Sequence, residues 1–180
     1  SSDLTFDKHS VAGMLLLNRR QYDNLSAGTS IMNLPYRSQG LAMRATYDYA
    51  QRYFIEFNAG YNGSENFPKG KRMGFFPAIS LGWLVSGESF WKDNLVSNLK
   101  LRFSHGEVGN DQIGGDRFLY LTKMDQNWEQ VYYFGQDQIR WPGIIESKIG
   151  YNNVTWETAV KTNLGLDLGL WKDRFSLQMD

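Results

Sequence analysis

The chain has no cysteine, only four prolines among 180 residues, and no excess charge of either sign, with 19 Lys+Arg against 19 Asp+Glu. Without cysteine there is neither a disulfide framework nor a thiolate metal site. A balanced charge argues against general nucleic-acid binding, which needs a basic excess or stripe. The longest aliphatic run is Met14 to Leu17, far short of the roughly 20 apolar residues a spanning helix requires. The opening residues, SSDLTFDKHS, lack the basic stretch and apolar core of a secretory signal. What is abundant is aromatic residues, at 15%, and glycine, at 18 residues. That mixture suits strands and turns, because rings fit a pleated surface and glycine punctuates it.

The apolar residues are spaced by two. From Thr158 the set Thr158, Val160, Thr162, Leu164, Leu166, Leu168 and Leu170 alternates with Ala159, Lys161, Asn163, Gly165, Asp167 and Gly169. The same alternation sets Tyr53, Ile55, Phe57, Ala59 and Tyr61 against Phe54, Glu56, Asn58, Gly60 and Asn62. Leu41, Met43, Ala45 and Tyr47 oppose Ala42, Arg44, Thr46 and Asp48, and Leu99, Leu101 and Phe103 oppose Lys100 and Arg102. A period of two means strands with unlike faces. These run near ten residues or more, longer than the five or six usual in soluble domains. Two architectures accommodate them. A soluble sandwich or barrel, for instance a carbohydrate-binding module, turns the apolar set inward. A transmembrane barrel turns it to lipid and the polar set to a wet lumen.

The connections sort by length. DYAQR (Asp48 to Arg52) and WKDR (Trp171 to Arg174) are tight, whereas Tyr22 to Arg37, Gly63 to Arg72 and Val108 to Thr155 are long. SGESFWKDN, Ser86 to Asn94, is intermediate. Short and long connections alternate, as in an up-and-down barrel with short turns on one side and long loops on the other. Tyr47, Tyr49, Tyr53, Trp83, Phe90, Trp91, Trp156 and Trp171 gather near the turns, where interfacial belts place rings with an apolar body and a polar tip.

Three landmarks occur in order: GFFPAISLGW, then SHGEVGND, then VTWE leading into GLDLG. With YDYAQRYFIEFNAGYNGSENFPKGKRM ahead of them, they resemble the C-terminal barrel region of SusC/RagA-type TonB-dependent outer-membrane transporters of Bacteroidetes, over nearly the whole chain. The resemblance implies an all-β fold: about seven or eight antiparallel up-and-down strands of a barrel of about 22. It implies that residues 1–180 are part of one barrel domain whose plug, TonB box and remaining strands lie elsewhere, with 108–155 as a long extracellular loop region. It further implies a place in the bacterial outer membrane, in contact with its lipid, and import of glycans or peptides with a SusD-like surface lipoprotein. Coupling to the TonB complex would run through segments this sequence does not contain.

Eight polar residues are then expected to face the lumen: Arg44, Glu56, Asn58, Lys100, Arg102, Lys161, Asn163 and Asp167. In the long connection, Trp128, Tyr132, Tyr133, Phe134 and Trp141 are interleaved with amides and charges. They either meet a sugar or other ligand, or pack on the loop itself or on a partner. His105 and Glu107, with Asp111 and Asp116 nearby, form either a metal site or a polar strand end entering a loop; the strand end is the simpler account. His9 is expected ahead of the first strand, without a partner. No catalytic residue, cofactor or metal is assigned, since no acid, base or nucleophile set converges.

Overall fold

The computed structural model describes residues 2–23, 34–92, 95–114, 117–172 and 174–180, the side chains of Ser2 and Trp128 excepted. The strands are β1 (Ser2–Phe6), β2 (His9–Tyr22), β3 (Tyr36–Tyr49), β4 (Tyr53–Ser64), β5 (Met73–Leu84), β6 (Val96–Asn110), β7 (Lys123–Phe134), β8 (Ile139–Lys148), β9 (Glu157–Leu170) and β10 (Phe175–Met179). A single 3₁₀ turn, Val85–Gly87, follows β5. Eight strands form one antiparallel sheet in the order β1-β2-β3-β4-β5-β6-β9-β10, while β7 and β8 pair as a separate hairpin. The meander is therefore interrupted once, where the chain leaves β6, makes the hairpin, and returns to the same edge as β9.

Register turns the sequence alternation into continuous rows. One rung runs Val11, Tyr47, Ile55, Leu81, Phe103 and Leu164 across β2, β3, β4, β5, β6 and β9. The neighbouring rung on the opposite face runs Ala12, Thr46, Glu56, Ser80, Ser104 and Asn163. A slip of one residue in any strand would exchange its two faces, so the register is strongly specified. The apolar face is uncovered. Leu164 is 74% exposed and Leu17 76%. Buried apolar side chains among the described residues are only Ala59, Phe67, Phe76, Val85 and Phe118, so there is no enclosed core of the kind a two-layer soluble domain needs.

Strand length fits a membrane. The shortest of the six long sheet strands has 12 residues. At about 3.3 Å per residue and a tilt of about 45°, it would rise about 28 Å, close to the hydrocarbon thickness.

The tight connections of the eight-stranded sheet lie at one end. Two residues, Asp7 and Lys8, join β1 to β2, and Ala50 to Arg52 join β3 to β4. Both turns use left-handed backbone at non-glycine residues: Asp7 has φ 50°, Ala50 53° and Gln51 55°. The WKDR turn between β9 and β10 does the same at Trp171 and Lys172, with Asp173 outside the described residues. His9 does not precede the first strand. It opens β2, with β1 hydrogen-bonded beside it. Its Nδ1 lies 2.8 Å from the Tyr47 hydroxyl and its ring 4.9 Å from that of Tyr49. The short polar segment SSDLTF hid that strand from a reading based on apolar periodicity.

With Tyr49, Tyr53 and Trp83, His9 makes one aromatic rung across four strands. The Tyr53 and Trp83 rings stack at 6.5 Å and 9°. Glu88, in the β5–β6 turn, secures this rung by accepting from the Tyr53 hydroxyl (2.5 Å), Trp83 Nε1 (3.2 Å) and Arg52 (3.3 Å).

Trp156 departs from the belt. It joins Phe67 and Phe76 near the opposite end of the sheet, with ring centroids 5.2 Å from each, and donates Nε1–H to the Arg72 carbonyl. Phe76 belongs to the polar face and lies flat across the neighbouring strand. A Cβ added at Gly109 would meet its ring at 2.0 Å. Glycine is required there by close approach, not by backbone conformation.

Two outcomes follow in the full-length barrel. Phe76→Ala should cost about 3 kcal/mol. Gly109→Val should be severe with Phe76 present and mild in the Phe76→Ala background; additive losses in chemical unfolding of the double mutant would refute the close contact. The second concerns acid. Hydrogen bonds from Tyr53 and Trp83, then the Arg52 charge, hold the Glu88 carboxyl below its ordinary value. A depressed folded value means that the stabilisation is complete above the usual glutamate range of about 4.3 and disappears as pH falls through the depressed value. Wild type and Glu88→Gln should therefore differ in thermal stability at neutral pH and converge in acid. Curves separated by the same interval at every pH would show that Glu88 is not the group involved.

Candidate functional site

The polar face carries two charged groups, separated by a strand of small residues. On β3 and β4, Arg44 stands opposite Asn58 and diagonal to Glu56. Its guanidinium reaches Glu56 Oε2 at 2.5 Å, and Asn58 Nδ2 donates to Glu56 Oε1 at 2.7 Å. On β6, β9 and β10, Arg102 stands opposite Gly165, whose missing side chain leaves room for the guanidinium. A Cβ at Gly165 would lie 3.0 Å from Arg102 Cζ. Arg102 thereby bridges Asp167 at 3.0 Å and Asp180 at 2.8 Å. Between the two groups β5 contributes Ala78, Ser80 and Gly82.

All eight polar residues singled out from the sequence share this face. Lys100 is opposite Asp167 in register, yet its Nζ lies 4.5 Å above the Phe54 ring. Asn163 is opposite Ser104, and Lys161, exposed, is opposite Gly106. Sequence reasoning missed Asp180. Its signal was the polar row Ser176, Gln178, Asp180 in FSLQMD, which continues the alternation one strand further.

The long connections form a second feature. Between β6 and β9 the chain folds into the β7–β8 hairpin, where Tyr132 faces Trp141 and Tyr133 faces Arg140. These rings do not fold onto the hairpin: Tyr132 is 66% exposed, Tyr133 61% and Trp141 58%. The Trp128 side chain lies outside the described residues. Asn127 and Val131 flank an irregularity in the ladder, capped where Asn127 Oδ1 accepts from the Glu129 N–H. Ser147 and Lys123 hold the Asp125 carboxyl below its ordinary value at the hairpin's base.

Beneath the hairpin, three connections are tied together. The Tyr36 hydroxyl donates to Asp111 at 2.8 Å, and Arg117 donates to the carbonyls of Leu34 and Pro35 at 2.8 and 2.9 Å. The Arg117 guanidinium also covers the Phe118 ring at 4.6 Å. Asn66 Nδ2 donates to the Asp111 carbonyl, the Tyr120 hydroxyl donates to the Glu65 carbonyl, and Lys71 reaches Asn153. Leu34 to Tyr36 ahead of β3 and the described residues after β4 and β6 are therefore joined as one bonded unit.

The residues weighed as a metal site do not converge. His105 is on the apolar face, bonded to Thr162 Oγ1 at 2.8 Å, whereas Asp111 serves Tyr36. Asp116 lies outside the described residues. Among the described residues no three metal-ligating side chains come together.

No family model matches the chain. Individual proteins do. It is 31% identical over 175 residues to TonB-dependent receptor P3 of Formosa agariphila, covering 94% of this chain and 17% of that protein. It is 36% identical over 139 residues to TonB-dependent receptor SusC of Bacteroides thetaiotaomicron, covering 76% of this chain and 14% of SusC. The solved RagAB peptide transporter superposes with a TM-score of 0.76 at 20% identity, over 98% of this chain and 21% of that one. The chain thus spans about a sixth of the length of the curated relatives it matches. Ordered landmarks, a single-layer meander with two unlike faces, and identity to full-length relatives agree: the chain belongs to the SusC/RagA-type TonB-dependent transporters and corresponds to a stretch of their β-barrel wall.

Proposed function

We propose that this chain is the wall of an outer-membrane importer, with its apolar rungs against lipid and its polar rungs lining the lumen or meeting a plug. The observation that carries this is the unbroken apolar rung, from Val11 to Leu164, exposed on a sheet with no second layer. Water would oppose exposure of that surface, whereas hydrocarbon accepts it. On the other face Arg44, Glu56, Asn58, Lys100, Arg102, Lys161, Asn163 and Asp167 present charge and hydrogen-bonding capacity to a wet interior. Arg44 and Arg102 take carboxylate partners from adjacent strands, as charges in a confined space require.

In this reading the tight turns lie on the periplasmic side, and residues 108–155 form an extracellular region. Its base is the bonded unit around Asp111 and Arg117, and its projection is the β7–β8 hairpin. Exposed Tyr132, Tyr133 and Trp141 offer stacking surfaces beside amides and charges. They suit contact with a SusD-like lipoprotein closing the mouth, or with a glycan or peptide in transit. Energy for import comes from the TonB complex through parts of the full protein outside this sequence.

Two measurements test the reading. Leu164→Arg, at mid-strand on the lipid face, should cost about 2–4 kcal/mol and lower the yield of folded barrel in outer-membrane fractions. Wild-type assembly would remove Leu164 from lipid. In the full-length transporter, Tyr132→Ala/Trp141→Ala should leave assembly intact while reducing either co-purification of the lipoprotein or cargo uptake. If both remain at wild-type level, the hairpin is not a contact surface.

A further inference from the structure

The two ends of the apolar face are chemically different. At the tight-turn end the rung is His9, Tyr49, Tyr53 and Trp83. At the long-loop end of β2 and β3 the corresponding positions are Arg19, Gln21, Arg37 and Gln39. Arg19 stands opposite Gln39, one rung beyond the apolar row Leu17, Leu41, Tyr61 and Phe75. Arg37 is the next residue outward on the same face, diagonal to Arg19. Arg19 is exposed and has no carboxylate partner among the described residues. Arg37 has only Glu65, at 3.9 Å, and remains half exposed.

These guanidiniums border a cleft whose other walls include Gln39, Gly63, Arg72 and Met73, with the single carboxylate of Glu65 against three arginines. Gly63 makes the cleft possible, since a Cβ there would meet Met73 Sδ at 2.6 Å. A second groove is continuous with it. That groove shares Arg19, Gln39 and Met73 and descends the apolar face between Leu17, Leu41 and Tyr61. A cationic cleft opening directly into a hydrophobic groove, at the level where a lipid face ends, matches an anionic headgroup with an acyl chain attached. Exposed arginine at such a level attracts anionic lipid. Arginine suits phosphate because its fork donates two parallel hydrogen bonds.

We infer that Arg19 and Arg37 form a headgroup site for a phosphorylated glycolipid of the outer leaflet, with one acyl chain lying along Leu17, Leu41 and Tyr61. This rests on the barrel orientation proposed above. The site would fix the height of β2 and β3 in the membrane beneath the bonded loops.

The test uses the full-length transporter in detergent, with purified lipid A as the probe and native mass spectrometry as the readout. Arg19→Gln/Arg37→Gln should reduce lipid A retention about tenfold. Arg20→Gln, one residue away on the opposite face, should not. Equal loss in both, or undiminished retention in the double variant with the folded band intact, overturns the site. Displacement of lipid A by inorganic phosphate alone would assign the cleft to a free anion instead and also overturn it. Phosphatidylcholine should not be retained in place of lipid A; equal retention would remove the role of charge. Failure of the orientation itself is read separately, from Leu17→Cys. Protection of that thiol by lipid supports the orientation. Ready labelling by a membrane-impermeant maleimide overturns the orientation rather than the site alone.

Discussion

A strand with unlike solvents on its two sides has one way to satisfy its backbone, which is sideways. Every N–H and C=O must find a partner on the adjacent strand, because hydrocarbon offers none. That constraint organises the molecule. It demands long, nearly uninterrupted ladders, such as the 14 paired positions between β2 and β3. It also fixes register, so side chains in different strands become neighbours in continuous rungs. The ion pair of Arg44 with Glu56 and the bridge from Arg102 to Asp167 exist because the ladders place those residues diagonal to each other. The sheet therefore specifies its polar lining and its apolar coat in one step.

A single layer has little core to hold it, and the structure concentrates burial at the loop end. Phe67, Phe76 and Trp156 pack together where three connections leave the sheet, and Gly74 and Gly109 leave space for the Phe76 ring. The Tyr36–Asp111 and Arg117 hydrogen bonds join the same connections. Long loops usually carry a large entropy cost when ordered. Here shared hydrogen bonds divide that ordering among three segments, which gives the β7–β8 hairpin a defined base. At the other end no such unit is needed, since Asp7–Lys8 and Ala50–Arg52 are too short to wander.

Alternation was legible in the sequence because its cause is local: each residue's face is decided by its parity within a strand. Hence the apolar row Leu164, Leu166, Leu168 and the shared face of Arg44, Glu56, Lys100 and Asp167 could be read directly. What could not be read depends on partners distant in the chain. His9 looked isolated because Tyr47 and Tyr49 are about forty residues away, brought beside it only by the β2–β3 register. Trp156 looked like a belt residue because a ring near a turn has the same sequence signature on either face. Asp180 escaped because β10 is a strand of five residues, too short for periodicity to stand out. The hairpin hid within a loop because neither strand keeps a clean alternation, Tyr132, Tyr133 and Phe134 being adjacent on one and Ile144 and Ile145 on the other.

The pairing of charges on the polar face has a consequence for what that face offers. Arg44 is matched by Glu56, and Arg102 is matched by Asp167 and Asp180, so these five groups largely neutralise one another within the wall. Lys100 rests on the Phe54 ring instead of on a carboxylate, and Lys161 stands opposite a glycine. A cation held over an aromatic face keeps more of its hydrogen-bonding capacity than one locked in an ion pair. Neither lysine has a carboxylate partner among the described residues, and they sit on β6 and β9, the two strands that flank the excursion into the hairpin, while Asp48 stands on the same face of β3.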